Sequence, residues 1–200
     1  MHALIKTLIC SLLLSTFSIS QTEAIELTLS NKDIKKAIAY GTGGRDLTHP
    51  ELLKAWRVDL GYGIGAATII TPFGSLVVLA KEKANRFLEP TEREIKETLD
   101  KDRGKLAFGC SLYGNDAWFA DKYKAVLMYK DKKIMPSKVE IPPSANYTRS
   151  YPNSPRYWAL CFFKFDIADI DPNAKVTLIL NDGKELKFSF DLEKLKWVDI

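Results

Sequence analysis

LGYGIGAATIITPFGSLVVLA, residues 60–80, holds no ionisable side chain except the Tyr62 phenol and lies between Asp59 and Lys81. Its length matches the roughly 20 apolar residues that cross a bilayer. Its interior does not. Pro72 and Gly74 interrupt the middle, and Gly61, Gly63 and Gly65 are spaced by two, a pattern that suits close backbone approach better than a lipid-facing surface. Thr71 followed by Pro72 is a helix start, because a threonine hydroxyl accepts from orphan N–H groups and proline fits the first turn. The spacing therefore predicts a glycine-rich extended or irregular segment to Ile70, then a helix from Pro72. Phe73, Leu76, Val77, Val78, Leu79 and Ala80 make that helix apolar almost all round, as a buried central helix requires. Gly61-x-Gly63-x-x-Ala66 imitates a dinucleotide fingerprint, but Trp56–Leu60 is a poor buried strand to precede one.

Before this stretch the chain reads as short helices. Ser30 and Asp33 signal a start followed by Ile34, Ala37, Ile38 and Tyr40, ending near Gly41. Gly41–Asp46 is a turn whose Arg45 is a minor anion-binding candidate. Thr48 and Pro50 open a second short helix carrying Leu52, Leu53 and Trp56. After Pro90, Thr91 and Glu94 form a capping box for a further helix. Residues 25–104 are thus expected to be mainly helical, and residues 105–200 to be β-structure.

In that second half Leu106, Phe108, Cys110 and Leu112 alternate onto one face. Strands are expected over residues 123–129, 133–141, 157–167, 174–180 and 185–192. Pro136 marks the strand over residues 133–141 as an edge or a bulge, and Asn181-Asp182-Gly183 makes the last two a tight hairpin. The expected fold class is α+β: a helical half around a buried helix, then a small antiparallel β-sandwich. The separation of Cys110 and Cys161 resembles an immunoglobulin-type sandwich in outline. Trp118 comes early for the core tryptophan of that family, and Ala159 stands where its tyrosine would be. An architectural likeness implies no function.

The first residues carry a targeting signal. Lys6 supplies a positive start, residues 8–19 are apolar diluted by Ser and Thr, and Thr22-Glu23-Ala24 ends in a small residue. Residues 1–24 are read as a signal peptide cleaved near Ala24, so the protein is expected to be exported, periplasmic or secreted. Cys10 leaves with the leader. Cys110 and Cys161 then form an even pair, for which a disulfide is expected. It would stabilise the fold by about 4 kcal/mol on chain-entropy grounds. Two free thiols in neighbouring strands are the alternative.

The formal net charge of +4, with acids and bases interspersed, excludes a nucleic-acid footprint. Beyond the leader the one histidine is His49, which rules out multi-histidine metal sites. There is no HExxH, CxxC, GxSxG elbow or P-loop, so no metal or cofactor is expected. Asp169-x-Asp171-x-Asn173 imitates half a calcium loop, but Ala174 replaces the loop glycine and Leu180 the bidentate glutamate.

The most informative connection is IPPSANYTRSYPNSPRYW, residues 141–158. A connection this long in a small sandwich is unusual. Tyr147, Arg149, Tyr151, Arg156, Tyr157 and Trp158 offer stacking faces and planar donors of the kinds enriched at binding hot spots. They are the candidate binding residues, for a protein or glycan partner in the envelope. Asn146-Tyr147-Thr148 is a glycosylation sequon. The functional expectation is an exported, non-catalytic binding or assembly module. The alternatives are an exported hydrolase with scattered carboxylates, which would need two of them about 5–10 Å apart, and a membrane-associated protein making contact through residues 60–80.

Overall fold

A computed structural model describes residues 29–166, 170–171 and 173–195. The leader, the expected cleavage point and Asp169 lie outside them.

Residues 60–80 divide at Thr71. Before it runs a strand, Gly65–Ile70, and after it a helix, Pro72–Ala84. The Thr71 hydroxyl accepts from the Gly74 N–H at 3.0 Å, and Pro72 occupies the first turn. Ile69, Leu76, Val77 and Ala80 are buried. Among the described residues no helix is long and apolar enough to cross a membrane.

The protein is mixed helix and sheet, and its sheets are antiparallel. In chain order the strands are β1 (Arg57–Asp59), β2 (Gly65–Ile70), β3 (Lys105–Gly114), β4 (Lys124–Tyr129), β5 (Lys132–Ile134), β6 (Lys138–Glu140), β7 (Asn146–Tyr147), β8 (Tyr157–Asp166), β9 (Lys175–Asn181) and β10 (Glu185–Asp191). One sheet has the order β1-β2-β3-β8-β6, with β7 also paired to β8, and the other has the order β10-β9-β4-β5. Leu106, Phe108, Cys110 and Leu112 of β3 share one core with Ala125 and Leu127 of β4, Leu178 and Leu180 of β9, and Phe188 of β10. Phe108 meets Phe190 across it with ring centroids 5.2 Å apart.

The helices are α1 (Asn31–Gly43), α2 (His49–Leu52), α3 (Pro72–Ala84) and α4 (Glu92–Lys101). Leu52 of α2 joins Ala37 of α1 and Leu76 and Val77 of α3 in a smaller core, which abuts the larger one where Trp56 and Phe73 lie 6.0 Å apart. Both expected caps form. The Ser30 hydroxyl accepts from the Asp33 N–H at 3.3 Å, and Thr91 and Glu94 bond each other's backbone N–H. At the end of β8 the Lys164 ammonium lies 2.7 Å from Asp102 and 3.3 Å from Glu140, tying the C-terminus of α4 to β6.

Three expectations change. The sheet that holds β3 and β8 takes its first two strands from before Gly104, because Gly65–Ile70 pairs along β3 in full register. The single strand expected over residues 133–141 is two: β5 belongs to one sheet and β6 to the other. Pro136 lies at the crossing, where its missing N–H leaves no ladder bond unmade. The expected disulfide is absent. Cys110 and Cys161 stand directly opposite in β3 and β8, yet both are free thiols. They are the two buried free thiols in neighbouring strands that the sequence offered as the alternative, and burial pushes both thiols up, Cys161 to about 11.

Candidate functional site, a tyrosine-lined cleft

Long-range strand pairing assembles this site. In β3 and β8, Leu112 and Ala159 face the core, so the next cross-strand pair, Tyr113 and Trp158, stands on the opposite face of the sheet. Asn146 pairs with Trp158 and Tyr147 with Tyr157, which brings β7 alongside.

Residues 148–156 close this β7–β8 hairpin. The Thr148 N–H donates to the Arg156 carbonyl at 2.9 Å, and the buried Thr148 hydroxyl donates to the Pro155 carbonyl. Inside the loop the Ser150 N–H donates to the Thr148 hydroxyl at 3.2 Å and the Asn153 N–H to the Ser150 carbonyl at 2.7 Å. The long connection is therefore folded on itself.

The β1–β2 turn completes the site. Gly61 and Gly63 have φ of +107° and +82°, a left-handed backbone that favours glycine. A Cβ on Gly63 would stand 3.3 Å from Pro155, so the turn and the hairpin loop are in close contact. Asp59 accepts from the Gly61 N–H at 2.8 Å and fixes the turn. Tyr62 is thereby aimed at the hairpin: its hydroxyl lies 2.9 Å from that of Ser150, 88 positions on. The Arg149 guanidinium sits over the Tyr62 ring at 4.2 Å from the centroid, within cation–π range. Tyr113 meets Tyr62 edge-on at 5.3 Å.

Tyr62, Tyr113, Tyr147, Thr148, Arg149 and Trp158 line an open cleft of about 290 Å³. Tyr151 and Tyr157 stand behind it, with ring centroids 4.3 and 5.3 Å from that of Tyr147. Of the residues singled out by sequence, Tyr147, Arg149 and Trp158 line the cleft, Tyr151 and Tyr157 support it, and Arg156 does not line it. The Arg156 backbone instead ties the loop to Asn115 at 3.4 Å. Tyr62 and Tyr113 were not foreseen. The signal for Tyr62 was its place as the one polar ring between two glycines. For Tyr113 it was its end position on an alternating strand.

The electrostatics are one-sided. Hydrogen bonding to Ser150, then to Thr148 and Arg149, lowers the Tyr62 phenol, while burial, then Tyr62 and Asp59, raises that of Tyr113. No carboxylate lines the cleft, and Arg149 forms no ion pair among the described residues. Asp59, the acid that acts on Tyr113, is itself held by Arg57 at 3.1 Å.

The other candidates are held in ordinary structural contacts. Arg45 lies 3.6 Å from its neighbour Asp46, and His49 3.9 Å from Glu82. Asp171 accepts from the Asn173 N–H at 2.9 Å, a plain turn bond. Among the described residues no group of three metal-binding side chains comes together. Compared with family models, with curated proteins and with solved structures, the chain matches none.

Proposed function

We propose that this is an exported, non-catalytic binding module that holds a glycan or protein partner of the cell envelope in the tyrosine-lined cleft. One observation carries the reading. Two segments distant in sequence, the β1–β2 turn and the β7–β8 hairpin, converge to present aromatic faces and a guanidinium around an open depression. Exposed, pre-positioned aromatics and arginine are what a binding surface needs, since few rotamers are lost on contact. Tyr147 and Tyr151 are at least half exposed, and the tilted contact between their rings holds them together without burial. Two antiparallel sheets over one core, immunoglobulin-like in outline, suit the role of a rigid support.

The hydrolase alternative needs a carboxylate pair at a cleft, and this cleft has none. The membrane alternative needs residues 60–80 exposed, whereas their large side chains left exposed are Tyr62 and Ile64.

The test is NMR chemical-shift mapping of the purified protein against neutral oligosaccharides, acidic oligosaccharides and peptides, repeated with Tyr147→Ala and Trp158→Ala. The reading expects shifts centred on residues 62, 113 and 147–158 that either substitution removes. Shifts confined elsewhere, or turnover of any of these compounds, would overturn it.

A further inference from the structure

The same cleft says something about the charge and shape of what it holds, and this step rests on the binding reading above. Its lining supplies tyrosine rings, one indole, tyrosine hydroxyls, and a single ionic group, Arg149. Arg149 is exposed, placed over the Tyr62 ring, and without an acidic partner among the described residues. A cation–π contact holds the guanidinium in place without neutralising it, and its N–H donors suit a planar, two-oxygen acceptor. The arginine of a nearby pair differs: Arg57 spends its donors on Asp59 and Thr68. A cation held in place and left uncompensated next to stacking faces is matched by a ligand that brings its own anion.

We propose that the cleft takes a carboxylate-bearing sugar, such as a uronic acid residue of an acidic glycan. The pyranose C–H face would lie against the Tyr147 and Trp158 rings, its hydroxyls would meet the tyrosine hydroxyls, and its carboxylate would pair with Arg149. A sugar fits better than an acidic peptide for two reasons visible in the lining. No aliphatic side chain lines the cleft to receive a peptide side chain. β8 offers no free edge here, since it is paired along this segment by both β3 and β7.

The experiment titrates the purified protein with three probes, an oligoglucuronan, the neutral glucan of the same length and linkage, and oligoglutamate, followed by Trp and Tyr fluorescence and by NMR shifts. The variants are Arg149→Lys, Arg149→Gln and Tyr62→Phe. The oligoglucuronan is expected to bind about tenfold more tightly than the neutral glucan, the scale of one charge-assisted pair. Arg149→Gln should bring the two to the same affinity. Arg149→Lys should restore part of the difference, because the charge returns without the fork. Binding of the acidic probe should weaken with salt.

Equal binding of acidic and neutral glycans would overturn the carboxylate assignment while leaving a glycan-binding cleft. Oligoglutamate binding as tightly as the oligoglucuronan would replace the sugar by an acidic polypeptide. Absence of any response from all three probes at residues 62, 113 and 147–158 would overturn this inference and the sugar side of the binding reading together. Unchanged native NMR spectra of the free variants would establish that each outcome reports on the cleft and not on folding.

Discussion

A Cβ placed on Gly41 would stand 2.2 Å from the carbonyl oxygen of Val77 and 2.8 Å from the Cβ of Ala80. The absent side chain is what lets α1 and α3 touch backbone to backbone. Gly41→Ala sets two effects in opposition. Alanine favours an α-helix over glycine by about 1 kcal/mol, whereas overpacking costs about 1–3 kcal/mol and here strikes backbone, which cannot rotate away. Overpacking should win. Urea denaturation is expected to show a net loss of about 1–2 kcal/mol, and an increase in stability would mean that the helices separate freely.

Phe87 follows the end of α3 with φ of +57° and is 89% exposed. The Leu88 N–H donates back to the Lys83 carbonyl at 3.0 Å and the Phe87 N–H to that of Ala84 at 3.0 Å, which closes the helix with an aromatic residue where glycine is usual. The left-handed backbone costs a side chain about 1–2 kcal/mol, and an exposed ring recovers little of it. Phe87→Gly should raise the melting temperature by about 1–3 °C. A fall would show that the ring packs against the body of the protein.

Glu94 accepts from Lys83, then from the Thr91 N–H, and these bonds lower its carboxyl to about 2. A carboxylate depressed on folding contributes stability that is complete above its unfolded value, near 4.5, and lost as pH falls through about 2. Melting temperature measured across that window should fall more steeply for the native protein than for Glu94→Gln. Parallel curves would show that the capping box contributes nothing through charge.

Cys110 and Cys161 are fully buried and opposed. Alkylation followed by mass spectrometry should modify neither in the folded protein and both after denaturation without reductant. Failure to modify them in denaturant would reveal a disulfide.

The parts legible in the sequence were those that local chemistry decides. Thr71-Pro72, Thr91 with Glu94, and Asn181-Asp182-Gly183 each specify a cap or turn within a few residues, and each forms. The alternation of Leu106, Phe108, Cys110 and Leu112 likewise marks the buried face of β3. What stayed hidden depends on partners far along the chain. Nothing near Gly65–Ile70 announces that it pairs with Lys105–Gly114, and its run of apolar residues serves a central strand and a buried helix equally well. The same limit applied to the cleft. Residues 147–158 are conspicuous by composition, but their association with Tyr62 and Tyr113 follows only from the order of strands in the sheet. The cysteines show both sides of this: their separation was compatible with a bridge, while their place opposite each other in adjacent strands of one sheet is a property of the assembled core.

The closed hairpin also sets a timetable. In the sequon Asn146-Tyr147-Thr148 the asparagine is exposed, but the threonine hydroxyl is buried and committed to the Pro155 carbonyl. An oligosaccharyltransferase must engage that hydroxyl as well as the amide, so the acceptor exists only in a chain whose β7–β8 loop has not yet closed. Glycan addition would have to accompany synthesis, and the finished protein would be refractory to it. A chain modified in time would carry its glycan on the residue next to Tyr147, a residue that lines the cleft.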